Sequence, residues 1–204
     1  GIPQYAVLVV NQIGSAYPIL LGDRDETLAF LDRFPQTFVI RVTCLTYLDR
    51  APEVNEILDR QVIARPAFGT TDDPGVLTAD ILYLEAAVVS GHKEAAQMLL
   101  TKYATSNIQM VIRFGVSCPP QWLGAAAALL GRYDEARKYD EAAIKIYTEM
   151  RVRPGLAMTR LQLAELLLEH YPAEKKEALE HLDFAIKEFQ EMKMKPSLER
   201  ALRH

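Results

Sequence analysis

Residues 122–136 read W-L-G-A-A-A-A-L-L-G-R-Y-D-E-A. Small and apolar side chains run to Leu130, Gly131 interrupts them, and Asp134 and Glu135 stand just before Ala136. Glycine is at ease in the left-handed backbone that closes a helix, and carboxylates suit the positive start of the next one. The stretch predicts two helices joined by a tight turn, with Ala136 letting their axes approach closely. A related run, G-H-K-E-A-A at 91–96, lies 40 residues earlier, with Gly91 five residues before Ala96 as Gly131 is before Ala136. The interval from Ala136 to Ala143 recurs as Ala178 to Ala185, 42 residues on. Self-similarity at about 20–50 residues is the mark of stacked repeats.

Outward from that stretch, apolar residues recur at helical spacing. Leu156, Leu163, Leu166 and Leu167 with Ala164 make one stripe, and Leu179, Leu182, Ala185, Ile186 and Phe189 make another. The β-branched runs at 7–10 and 38–43 are the best strand candidates, but both lie in longer apolar patterns and read as helix. Gly and Pro divide the chain at Gly22, Pro35, Pro52, Gly91, Pro119, Gly131, Pro154 and Pro196. The expected helices are a first one ending at Gly22-Asp23, then 24–33, 36–48, 51–64, 74–90, 92–104, 119–130, 132–151, 154–170, 173–193 and a short terminal one. The loop 65–75 separates 51–64 from 74–90, and Asp72 or Asp73 before Pro74 is the expected cap of the helix that follows.

Composition agrees. The 204 residues include 25 Ala and 26 Leu, with only 10 Gly and 11 Pro. Half are apolar and a quarter charged, the balance of a globular chain. A net charge of −4 argues against nucleic acid as a partner. No apolar run reaches the ~20 residues a bilayer requires, and no secretory signal opens the chain, so membrane attachment is not expected and a cytoplasmic setting is. The start at Gly1 suggests a piece of a longer protein. Cys44 and Cys118 each sit among apolar neighbours and read as buried thiols.

The pattern resembles the tetratricopeptide repeat (TPR). Leu123 and Gly124 match its first-helix contact positions, and Gly131, Tyr133, Ala136 and Ala143 its turn and second helix. The closing Pro is displaced to Pro154, and extra turn residues surround Tyr171. The best-matching repeats are 75–105, 119–152 and 154–193. A narrower resemblance runs through M-R-V-R-P-G-L-A-M-T-R-L-Q-L-A-E-L-L-L at 150–168 and A-L-E-H-L-D-F-A-I-K-E-F at 178–189. These are similar to the C-terminal helical-repeat region of large bacterial signalling ATPases joined to nucleotide cyclase or transcription-regulator domains. The resemblance implies an all-α, antiparallel helix-pair solenoid of about ten helices over residues 1–204. Its implied role is a scaffold binding a protein or peptide partner, or another domain of its own chain, through the concave surface. A small-ligand sensor and a homodimerisation module are the rival readings.

Catalytic motifs are missing. No phosphate-binding G-x-x-x-x-G-K-[ST] occurs, and no His or Cys stands at zinc-ligand spacing. No cofactor, metal or enzymatic role is expected. His92, His170, His181 and His204 read as exposed residues near helix ends, and Trp122 as core opposite Tyr133. The candidate partner-binding residues are Tyr83, Arg113, Arg160 and Glu165, expected as a mixed aromatic and charged lining of first helices. Arginine is favoured there because its planar fork pairs carboxylates bidentately. Salt bridges to the repeats' own acids are the alternative use of Arg113, Arg151, Arg153 and Arg160.

Overall fold

The computed structural model describes residues 18–33, 38–105 and 118–204, and among the described residues the chain is all-α, with no strand. After one helical turn at 18–21, α1 spans Arg24–Arg33, α2 Phe38–Tyr47, α3 Ala51–Leu58, α4 Leu77–Ser90 and α5 Lys93–Tyr103. Helix α6 then spans Pro119–Leu129, α7 Tyr133–Met150, α8 Arg153–His170, α9 Lys175–Met192 and α10 Lys195–Ala201. Helices α1–α5 belong to one compact unit and α6–α10 to another. The expected helix over 38–43 is part of α2, whereas the run at 7–10 lies outside the described residues.

The turns explain the periodicity. Gly91 and Gly131 both close a first helix in the left-handed region, at φ 74° and 75°. After each, the next residue's N–H returns to a carbonyl five residues back: His92 to Ala87 and Arg132 to Ala127, both at 2.8 Å. Arg151 and Lys193 close α7 and α9 in the same way, at φ 58° and 59°, with Val152 bonding Tyr147 and Met194 bonding Phe189 at 3.0 Å. Their sequences, M-R-V-R-P at 150–154 and M-K-M-K-P at 192–196, are 42 residues apart and place Pro in the first turn of the following helix.

Helix boundaries depart most from expectation on either side of the loop at 65–75. Helix α4 starts at Leu77 rather than 74, after Val76, which offers no side-chain cap. The Asp73 carboxylate is instead taken up by its own loop, accepting from the Gly69 and Gly75 N–H groups at 2.8 and 2.7 Å. Beyond α3, residues Asp59–Ile63 widen into a π turn, where Ala64 N–H bonds the Asp59 carbonyl at 2.8 Å.

Within each unit every helix packs on the next, and α2 also meets α4 as α6 meets α8. Ala96, Ala136, Ala143, Ala178 and Ala185 are all fully buried, which is the close approach that the small side chains predict. Tyr147 joins three helices in the second unit. Its hydroxyl donates to Gln121 Oε1 at 2.7 Å and accepts from Cys118 N–H at 3.0 Å. Gly155 of α8 lies so close to its ring that a Cβ there would stand 2.4 Å away. Farther along, Ala157, Leu161 and Ala164 share a core cluster with Leu182, Ala185 and Phe189 of α9.

Candidate functional site

Of the four candidate residues, Tyr83, Arg160 and Glu165 lie among the described ones. Tyr83 is a correction: it is 5% exposed and belongs to the core of the first unit. The cause is the position of α4, on which α2, α3 and α5 all pack, so that Tyr83 is buried along with Ile81, Leu84, Ala86 and Ala87. Arg113 lies outside the described residues. Glu165 is half-buried and already engaged by α10 and the chain end, accepting from Arg200 Nε at 2.8 Å with His204 Nε2 at 3.2 Å.

Arg160 is different. Its guanidinium lies 4.1 Å above the Phe184 ring, so α8 presents it toward α9. Its Nε is shut off from solvent without a hydrogen-bond partner, and no carboxylate lies within ion-pair distance among the described residues. Beside it on α9 stands His181, whose Nδ1 is also buried and unpartnered. Burial lowers the His181 pKa, the Arg160 charge lowers it further, and Glu177, at 3.8 Å, opposes them. Arg153 and Arg137 are satisfied, whereas the exposed Arg151 enters no ion pair among the described residues. Arg153 donates to Glu188 and Glu191 at 2.7 and 2.5 Å, and Arg137 to Glu141 and Glu174, both at 2.9 Å. The expected alternative of intramolecular ion pairing thus holds for Arg153 and not for Arg160. Stacking on an aromatic ring leaves the in-plane N–H groups of an arginine free to hydrogen-bond, and with Nε closed off it is the terminal nitrogens of Arg160 that an anion from outside would meet.

A second charged group is saturated. In the first unit, Arg65 and Lys102 close on Asp73 and Asp80: Arg65 reaches Asp80 at 2.7 Å, and Lys102 reaches Asp73 at 2.6 Å and Asp80 at 2.7 Å. Tyr103 donates to Asp80 at 2.7 Å, and the ring of Phe68 lies 4.9 Å from the Arg65 guanidinium. Burial would raise the Asp73 pKa. Hydrogen bonds from Gly69, Lys102 and Gly75 and the charge of Arg65 outweigh it and hold the carboxyl far below the usual range. Donors and acceptors are matched within the cluster, which ties the loop at 65–75 to α4 and α5 and leaves little to offer a substrate.

His204 is exposed as expected, whereas His92, His170 and His181 are half-buried. His92 caps α5, its Nδ1 accepting from Ala95 N–H at 3.2 Å while Nε2 meets Asp59 at 3.1 Å. His170 stacks on Tyr133 with 3.5 Å between ring centres, which occupies the tyrosine face expected to meet Trp122. Trp122 is nevertheless buried. Both cysteines are buried and free, and burial pushes each thiol up to about 11, away from nucleophilic reactivity. No group of His, Cys, Asp and Glu among the described residues could hold a metal ion, and no helix there is long and apolar enough to cross a membrane. No protein-family model and no curated protein matches this chain.

Proposed function

We propose that this chain is a tetratricopeptide-like array of helix pairs serving as a cytoplasmic scaffold in a bacterial signalling or transcription-regulatory protein. It binds an acidic segment of a partner, or of another domain of its own chain, and performs no catalysis. The array reading is supported by the 40- and 42-residue recurrences and by the matching turns at Gly91 and Gly131 and at Arg151 and Lys193. The partner reading rests on one observation, the Arg160 guanidinium held on Phe184 without an acid of its own among the described residues. A carboxylate from outside supplies what that group lacks, and a charge-assisted pair to arginine is among the stronger polar contacts. Arg160 replaces Tyr83 and Glu165 as the centre of the surface, and the surface shifts toward the α8–α9 side.

Panning a random-peptide display library on the protein, with counter-selection on Arg160→Gln, tests this reading. The expected result is enrichment of Asp- and Glu-containing peptides that bind at least tenfold more weakly to Arg160→Gln, and unchanged binding to Lys187→Gln. Peptides without acidic bias, or equal binding to both variants, would count against it. Analytical ultracentrifugation of the same samples separates it from the homodimer reading.

A further inference from the structure

In the second unit, Ala136, Asp140, Ala143 and Tyr147 form the buried stripe of α7, each exposed by 1% or less. Three of them are ordinary core residues; the fourth is a carboxylic acid. Opposite it on α6 stands Gly124, where a Cβ would come within 2.4 Å of Asp140 Oδ1. From α8, Gln162 donates one amide hydrogen to Asp140 Oδ1 at 2.6 Å and the other to the Gln121 carbonyl at 3.1 Å. One side-chain amide therefore ties α6, α7 and α8 together through Asp140. The other oxygen, Oδ2, is buried with no hydrogen-bond partner.

Among the described residues no cation compensates that oxygen. On α7 itself Glu141 adds charge of the same sign, Arg137 is turned to Glu141 and Glu174, and Tyr139 is neutral below the alkaline range. Helix α6 carries no ionisable side chain. On α8, Arg153 is held by Glu188 and Glu191, Arg160 lies on Phe184, and Glu165 is held by Arg200. Glu169 is exposed beside His170, which stacks on Tyr133. A buried unpaired carboxylate is far more costly than a buried neutral carboxyl.

We infer that Asp140 is a proton-operated joint: the packed arrangement of α6, α7 and α8 takes its acid form, and ionisation loosens the α6–α7 pair from α8. Burial drives its pKa well above the usual carboxylate value, Glu141 adds to this, and only the Gln162 hydrogen bond opposes it. The sign follows from linkage. A carboxyl whose folded pKa is raised takes up a proton on folding. Its contribution is fully present below the ordinary carboxylate pKa and is lost as pH rises through the raised folded value. A surface drawing on both helix pairs of this unit would be set by proton concentration, with no ligand needed to move it.

The experiment follows the melting temperature from about pH 4 to about pH 9 for the wild type, Asp140→Asn and Asp140→Leu. The carboxyl carbon of Asp140 is followed by NMR in the wild type over the same range. His181, whose pKa is lowered, acts in the opposite sense, so the comparison is between wild type and variant. The expected result is a carboxyl that stays protonated above the ordinary range, and a wild-type Tm that falls by about 4 °C more than that of Asp140→Asn across the raised titration. Amide protection in α6–α8, taken relative to the intrinsic base-catalysed exchange, falls over the same interval in the wild type alone. A carboxyl that titrates near pH 4 overturns the inference, whether or not the variants fold. So does a raised titration with parallel Tm curves for wild type and a folded variant. If neither variant folds, amide protection in the wild type decides: protection at α6–α8 that does not follow the titration overturns it.

Discussion

Arg151 and Lys193 each stop a helix in the left-handed region, at φ 58° and 59°, where an L side chain crowds its own carbonyl. Gly91 and Gly131 carry out the same task without that cost. Both Arg151 and Lys193 are exposed, and neither enters an ion pair among the described residues. Replacing either by glycine should relieve about 1–2 kcal/mol of backbone strain against about 0.5–1 kcal/mol for the greater freedom of glycine in the unfolded chain, for a net gain of about 0.5–1 kcal/mol. Thermal melts of Arg151→Gly and Lys193→Gly check this, and a fall in Tm would mean that the side chains hold the turn in some other way. At this scale the sequence is only partly readable. Glycine announces a left-handed cap, whereas arginine and lysine do not, and it is the repeated M-R-V-R-P and M-K-M-K-P that mark the turn. Asp140 is hidden too, because a lone acid in an amphipathic helix reads as solvated. What reveals it is its register: four residues after Ala136 and three before Ala143, on the same face, opposite a glycine.

At the scale of elements, helices are legible where Gly or Pro punctuates them and less so where a charged loop does. Asp73 before Pro74 reads as a cap, but Lys102, 29 residues away, competes for the same carboxylate and draws it into the loop. Nothing local encodes that competition, and the burial of Tyr83 is tertiary in the same sense, set by three helices converging on α4. The loop cluster also carries a pH dependence opposite to that of Asp140. A carboxyl with a depressed folded pKa contributes stability that is present above its unfolded value and lost as pH falls through the folded one. Asp73→Asn should remove part of the acid lability of the first unit. Because it leaves Lys102 and Arg65 sharing Asp80 alone, it should cost about 3 kcal/mol at neutral pH. Acid titration by circular dichroism, with amide exchange at α4 and α5 as the local readout, checks both effects. An Asp73→Asn variant as stable as wild type at neutral pH would show that the cluster adds nothing to the fold.

At the scale of the whole molecule, the contact pattern repeats within each unit: helix on next helix, and first helix on first helix. In such arrays stability is approximately a sum of repeat terms and nearest-neighbour interface terms. Residues 118–204 hold all the buried members of the two core clusters of the second unit, to which Leu20 adds a partly buried contact. Ala143 and Tyr147 of α7 form one cluster with Cys118, and residues of α8 and α9 with Met194 and Ala201 form another. Helix α10 closes this stack, burying Ala201 while Leu202 remains 61% exposed. Residues 118–204 produced as a separate chain should therefore be helical and melt cooperatively. The increments measured for Arg151→Gly and Asp140→Asn should carry over to that segment, because each acts through contacts within it. The Asp73→Asn effect has no residue there to act on, so a transition of the full chain that it alone displaces belongs to the first unit. A segment that melts without cooperativity would show that the second unit draws its stability from residues outside 118–204, and the additive description of the array would fail.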